Sequence, residues 1–346
     1  MQLTRLELLD FRSYGQVRFD FGNLTVLLGP NGIGKTNIIE AIGLLSTGMS
    51  QRAGKIEEMI AWEKEIATVS GIVDKGEAGY VSLVVVLTKG VVLGHKTPKR
   101  RYLVDGNARP RNKLVGNLPS ITFRPEDMRL IEGSPSRRRQ YLDETLSSMS
   151  PEYARSLSIY EASLRQRNRL LDALREGIAT RAQFAYWDQS ILKHGEVISR
   201  MRRLLIEHLN SLEMTFGKYE IVYDDSPISV ARLKQYEHEE VAVGYTLVGP
   251  HKDDFQIFSL KKNLMIYGSR GEQRLGVLFL KMGALSYIER ITGDNPLILL
   301  DDIFSELDQQ HREEILALIQ DHQCVITTAE PEIVELLPHE AKIIRL

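Results

Sequence analysis

The stretch Gly29-Pro30-Asn31-Gly32-Ile33-Gly34-Lys35-Thr36 fits the spacing G-x-x-x-x-G-K-[ST], the pattern of a loop that wraps backbone N–H groups around phosphate oxygens. In such a loop the lysine reaches the β- and γ-phosphates of ATP, and the hydroxyl that follows it offers a ligand to Mg²⁺. Far along the chain, Pro296-Leu-Ile-Leu-Leu300-Asp301-Asp302 is an apolar run that ends in two carboxylates. Asp301 is placed to hold Mg²⁺. Asp302, one residue on, points differently and could orient or deprotonate an attacking water. An apolar strand ending in Asp is common in α/β proteins and says little alone. Paired with the loop, it becomes the expected metal end of a nucleotide site.

The neighbouring residues are those that must position this chemistry. Asn23 to Leu28 reads as a buried β-run, and Lys35 to Leu45 carries Ile38, Ile39, Ile42 and Leu45 at helical spacing. The loop therefore leaves a strand and opens a helix, whose free N–H groups and dipole favour an anion. Most of the chain separates Lys35 from Asp301, so the two ends must fold together with the middle inserted. Ser269-Arg-Gly271-Glu272-Gln273-Arg274 stands before a long helical pattern, and Ser305-Glu-Leu-Asp308 follows the twin carboxylates. The first resembles the signature motif of ABC-type ATPases and the second their D-loop. In that class the signature of one subunit closes over the γ-phosphate bound to the other. The same segment also reads as a serine helix cap with Glu272 completing a capping box. The expected fold is α/β: an ABC-type P-loop ATPase head in two lobes, assembled from residues 1–125 and 245–346, with a short, mainly helical arm of residues 126–244 inserted.

The chain has 346 residues, enough for about two domains. Its single cysteine, Cys324, can form no internal disulfide and fits a buried strand in a reducing cytosol. The N-terminus enters a strand-like pattern at once, and no apolar run is long enough to span a bilayer, so the expected location is the cytoplasm. A formal net charge of −2 gives no global sign of a polyanion-binding protein. The local distribution does. Between His95 and Lys113, the residues Lys96, Lys99, Arg100, Arg101, Arg109, Arg111 and Lys113 face one acid, Asp105. The turn signal Asp105-Gly106-Asn107 suggests a basic hairpin projecting from the head, suited to phosphate-backbone contact with duplex DNA. Three further arginine clusters lie at 137–139, at 165, 167 and 169, and at 200, 202 and 203. The last two sit among helical acids (Glu161, Asp172, Glu207) and read better as solvated, paired faces.

The middle of the chain is helical. Apolar residues recur at three- and four-residue spacing over Pro151 to Glu176 and Ala182 to Phe216, with a bend between Arg175 and Thr180. Such helices, about 40 and 50 Å long, make a short arm, without the sustained heptads of a long coiled coil. Ser120 to Phe123 should complete a strand of the head, Pro135 to Ser148 a helix, and Tyr219 to Tyr223 a strand. Asp224 to Glu240 carries no clear pattern.

Four segments together carry a resemblance: Asp10-Phe11-Arg12-Ser13-Tyr14, the run from Arg124-Pro125-Glu126-Asp127 to Tyr141-Leu142-Asp143, Gly249-Pro250-His251-Lys252-Asp253-Asp254, and Ser269-Arg-Gly-Glu-Gln273. In order and over nearly the whole chain, they resemble the motifs of the RecF family of bacterial recombinational repair proteins. The resemblance implies an ATP-dependent homodimer that binds double-stranded DNA at gaps beside single strands and assists RecR and RecO in loading RecA, on the nucleoid and away from any membrane. It also places Arg12 by the nucleotide, and Asp253 or Asp254 near the subunit interface. Three departures stand out. Lys252 occupies a position where arginine is common, which loses a bidentate fork. No histidine follows Val325-Ile-Thr-Thr328, leaving γ-phosphate sensing to Thr327, Thr328 or nothing. Asp302 stands where ABC transporters have glutamate and, being shorter, suggests slow hydrolysis, which the resemblance implies is stimulated by DNA. A transport ATPase subunit would give the helical insertion and basic hairpin no role. A metabolic P-loop kinase would not need the signature at Ser269.

Overall fold

Five short apolar runs, drawn from both ends of the chain, line up side by side as one parallel sheet in a computed structural model. The structure describes residues 1–50, 52–306, 312 and 321–346, with the side chains of 305 and 306 outside it. The sheet order is Ser120–Phe123, Leu297–Asp301, Cys324–Thr328, Leu24–Leu28, Lys342–Arg345. Every residue of the three central strands is buried, which is why these strands read as continuous rather than alternating apolar runs. Asp301 pairs in register with Thr327, and Thr328 with Leu28. All three central strands thus end at one edge, where the Gly29 loop begins.

A second, antiparallel sheet of six strands has the order Tyr14–Asp20, Gln2–Phe11, Ile66–Asp74, Tyr80–Thr88, Arg100–Val104, Asn107–Arg109. The helix Lys35–Thr47 lies between the two sheets. Its Ile38, Ile42 and Leu45 share one core with Leu3, Leu6, Val69 and Val85 of the antiparallel sheet and Leu27, Leu299 and Val325 of the parallel one. Gly71 lets the helix come this close, since a Cβ there would stand 2.6 Å from Leu45 Cδ1. Gln323 ties the sheets together. It accepts from Leu3 N at 2.7 Å and donates to Leu3 O at 2.7 Å and Gly22 O at 3.0 Å.

These elements form one compact unit, residues 1–127 with 288–346; residues 128–287 form another. The segment 245–287, which carries Ser269, groups with the latter. Its helices Pro135–Met149, Pro151–Arg175 and Ala185–Ser211 follow the periodicity closely, and Gly177 with φ +75° sits in the bend. At 1.5 Å per residue the two longer ones measure about 37 and 40 Å; the second stops short of its expected end because the chain turns at Leu212 towards the strand Tyr219–Asp224. The unpatterned stretch after that strand contains two short helices, Val230–Gln235 and Glu237–Val243.

One member of each arginine cluster turns inward and pairs over long range, while Arg165, Arg169, Arg200 and Arg203 stay exposed as expected. Arg202, buried, donates to Asp143, Asp253, the Pro250 carbonyl and Tyr153 at 2.7–3.0 Å. Arg167 is held by Asp188 and Glu240, and Arg138 by Asp254. Asp253 is fully buried, its carboxylate also taken by Tyr223 and the Ser226 amide. That makes Asp253 an internal anchor of this unit rather than a surface group; of the two residues expected near the subunit interface, Asp254 is the partly exposed one. Among the described residues no helix is long and apolar enough to cross a membrane.

Candidate nucleotide-binding site

The phosphate-loop pattern occupies the expected place. Gly29 follows the strand Leu24–Leu28 and its N–H reaches the Thr328 carbonyl at 3.2 Å. Gly32 and Gly34 then take φ of +85° and +113°, conformations that side-chain-bearing residues rarely adopt, and the helix starts at Lys35. Pro30 to Ile33 are exposed, whereas Lys35 is buried. Its ammonium donates to Gly29 O at 2.6 Å, Pro30 O at 3.1 Å and Asn31 Oδ1 at 3.4 Å. A cation whose partners among the described residues are neutral oxygens of its own loop is poised to exchange them for phosphate oxygens.

Thr36 Oγ1 lies 3.1 Å from Asp301 Oδ1, across 265 sequence positions. Thr327 Oγ1 donates to the same oxygen at 2.8 Å. Asp301 is buried, and burial pushes its carboxyl above the usual range despite the two hydroxyls; Glu126 pushes it further up and Arg124 pulls it down. A buried carboxylate bonded to neutral hydroxyls, beside a second carboxylate, is one that a divalent cation would stabilise. The donor set of Asp301 and Thr36 suits Mg²⁺, which takes few protein ligands. Arg124 and Glu126 belong to a motif quoted above only for its family resemblance. Their placement beside the strand end had no local signal, because it depends on Ser120–Phe123 pairing with Leu297–Asp301.

At Asp302 the backbone turns into the left-handed region, φ +52°, fixed by its N–H on both Thr327 O at 3.2 Å and Thr327 Oγ1 at 3.0 Å. That conformation costs a non-glycine residue about 1 kcal/mol or more. Thr327 is therefore engaged in holding both aspartates. Thr328 Oγ1 accepts from Glu330 N at 3.0 Å.

Arg12, expected beside the nucleotide, has its guanidinium engaged by Glu40 of the helix Lys35–Thr47, at 2.7 and 2.8 Å, and by the Glu58 carbonyl at 2.6 Å. The residues of its turn that do reach the loop are the next two. Ser13 Oγ accepts from Asn37 Nδ2 at 2.9 Å, and a Cβ on Gly34 would meet both Ser13 Oγ and Tyr14 Oη at 2.9 Å.

Ser269 precedes the helix Arg270–Thr292. Its N–H donates to Glu272 Oε2 at 2.7 Å and its Oγ accepts from Glu272 N at 3.3 Å, the reciprocal pair of a capping box. Ser269, Gly271 and Glu272 are exposed, and nothing lies within 4 Å of where a Gly271 Cβ would be. Gln273, expected as part of the signature surface, is instead turned inward, its amide on Leu264 O at 3.1 Å. Of the D-loop residues, Ser305 is described only in its backbone, within the short turn Ile303–Glu306, and Asp308 lies outside the described residues.

The basic segment differs from a projecting hairpin. Arg100–Val104 and Asn107–Arg109 do pair around Asp105-Gly106, but as the edge of the six-stranded sheet, while His95–Lys96 pairs with Val91–Val92 in a separate ribbon. Nor does the segment lack acids in space, because Lys99 binds Glu57 at 2.6 Å. Arg111 donates to the Thr47 carbonyl at 2.6 Å, closing the end of the phosphate-loop helix, and Arg100 is half-buried beside Tyr102. Arg101, Arg109 and Lys113 are exposed.

The family model for the RecF/RecN/SMC N terminal domain matches residues 2–345. The DNA replication and repair protein RecF of Heliobacterium modesticaldum is 34% identical over 95% of this chain and 92% of its own length; that of Clostridium tetani is 32% identical over 100% and 98%. Among solved structures, the recombination mediator protein RecF-ATPrS of the RecFOR pathway superimposes with a TM-score of 0.85 at 27% identity, covering 100% of this chain and 96% of that one. An Smc head domain with an extended coiled coil from Pyrococcus furiosus shares the fold at 18% identity, with a TM-score of 0.53 over 99% and 92%. With an ABC-type ATPase head whose two ends meet at Thr36 and Asp301, and with sequence likeness along its full length, this chain belongs to the RecF family of DNA replication and repair proteins.

Proposed function

We propose that the chain is an ATP-dependent DNA-binding protein of recombinational repair, an ATP-driven dimer that engages duplex DNA at single-strand gaps and assists RecR and RecO in loading RecA. The observation that carries the reading is the approach of Thr36 to Asp301, which joins the phosphate loop to a buried carboxylate. Bound ATP supplies the phosphoanhydride to be cleaved, and Mg²⁺ neutralises charge on it. Gly29 to Thr36 would hold the phosphates, with Lys35 releasing its own loop carbonyls to do so. Thr36 and Asp301 would hold the metal, and Asp302 would orient the water and take its proton. Ser269 and the amides around Gly271 would complete the site of a second copy, with Glu272 keeping that helix start in shape and Ser305 and Asp308 alongside. Residues 1–125 and 245–346 would act as the head and 126–244 as the arm.

The exposed Arg101, Arg109 and Lys113 would contact DNA phosphates, and the cytoplasm is the compartment where such a substrate lies. The test is the mass of the protein in solution with and without ATP and a gapped duplex. ATP should convert monomers to dimers and the duplex should retain them. Lys35→Ala should weaken binding of a fluorescent ATP analogue on the order of a hundredfold, through loss of charge-assisted hydrogen bonds, and abolish the dimer. Unchanged affinity in that variant would remove the placement of the nucleotide.

A further inference from the structure

Tyr14 presents a buried hydroxyl that has no hydrogen-bond partner among the described residues. Its ring is fixed edge-to-face on Phe19, with centroids 6.0 Å apart at 85°, and packs against the core that holds the phosphate-loop helix. The hydroxyl itself sits over the first residue before that helix: it is 2.9 Å from the point where a Gly34 Cβ would be, beside Ser13 Oγ at the same distance. A buried hydroxyl left without a partner costs stability that a phenyl ring would not, and beside a phosphate loop a ligand that supplies the acceptor is one physical reason to keep it. Burial also raises its pKa, which keeps it a donor at neutral pH. The helix that starts at Lys35 has first-turn N–H groups without intrahelical partners, and Ser13 Oγ already accepts from Asn37. The acceptor such a donor set lacks is an anion.

We propose that Tyr14 Oη donates a hydrogen bond to a phosphate oxygen of the nucleotide held by Gly34 to Thr36, so that the Ser13-Tyr14 turn forms a side of the phosphate site. This rests on the nucleotide reading above. Tyr14→Phe tests it, because the two states of the protein should respond in opposite directions. Without ligand, the variant should melt at the same temperature as the parent or higher. It should bind a fluorescent ATP analogue roughly tenfold more weakly. Competition with inorganic tripolyphosphate, which has neither base nor sugar, should show the same loss. Equal ATP affinity in the two proteins would overturn the proposal. So would a lower melting temperature without ligand, which would make the hydroxyl structural, or a loss seen with ATP and absent with tripolyphosphate, which would place the contact on base or sugar. If the parent protein itself fails to bind ATP, the nucleotide reading falls and this inference with it.

Discussion

At the scale of single residues, the two aspartates at the end of the strand Leu297–Asp301 are adjacent but differ in burial and backbone conformation. Asp301 is buried against Thr36 and Thr327, whereas Asp302 leaves the strand through a left-handed turn that Thr327 fixes. A group proposed to bind metal and a group proposed to handle a proton would need such different settings. Asp302→Asn keeps the shape and the metal end, so Mg²⁺-dependent ATP binding should persist while the hydrolysis rate drops by about 10²–10⁴ and ATP-bound dimers accumulate. Measuring phosphate release and mass on the same sample checks this. Loss of ATP binding along with turnover would assign Asp302 to the metal or to structure. The phosphate loop was legible in the sequence because glycines at fixed offsets, a strand before and a helix after are all local features. The engagement of Arg12 by Glu40, and the meeting of Arg124 and Glu126 with Asp301, were not, since each depends on which strands become neighbours.

At the scale of elements, periodicity placed the helices of residues 128–287 well, while the charges on them misled. Two of the six arginines that looked like solvated faces are internal fasteners, the other four being exposed: Arg202 reaches Asp143 and Asp253, and Arg167 reaches Asp188 and Glu240, partners 21–73 positions away that no i,i+4 rule finds. The basic edge erred the other way, because Glu57 approaches Lys99 from 42 positions off. Among the same fasteners, His251 bridges Tyr160 Oη at 2.8 Å and the Thr246 carbonyl at 3.0 Å. Burial, reinforced by Lys252, Arg139 and Arg167, lowers its pKa from 6.5 to about 4. Between those values the unfolded chain takes up a proton that the folded one refuses. The stability of this unit should therefore be full above pH 6.5 and fall as pH drops towards 4, by up to about 3 kcal/mol. Denaturant melts of the full chain across that range check the slope, and His251→Gln should flatten it. A slope the same in the variant would assign the loss to other groups.

At the scale of the whole molecule, nucleotide and DNA binding must be separable if the exposed edge of the antiparallel sheet is the DNA contact. Changing Arg101, Arg109 and Lys113 to glutamate should leave ATP affinity alone and weaken duplex binding for all sequences alike. It should flatten the dependence of log K on log salt by roughly 0.9 per lost contact. Lys99→Ala should do less, since that ammonium already has Glu57. Unaltered DNA affinity at low salt would move the contact elsewhere. The central claim, however, is that a second copy completes each nucleotide site. A Lys35→Ala subunit has a defective phosphate loop and a sound signature; a bulky Ser269→Arg subunit has the reverse. A mixed dimer then carries one wholly intact composite site and one doubly defective one. The most direct measurement is the ATPase rate of the two variants alone and mixed in equal amounts. Each alone should be inactive, and the mixture should recover a substantial part of the parent rate; no recovery, with mixed dimers shown to form, would contradict a site shared between two copies.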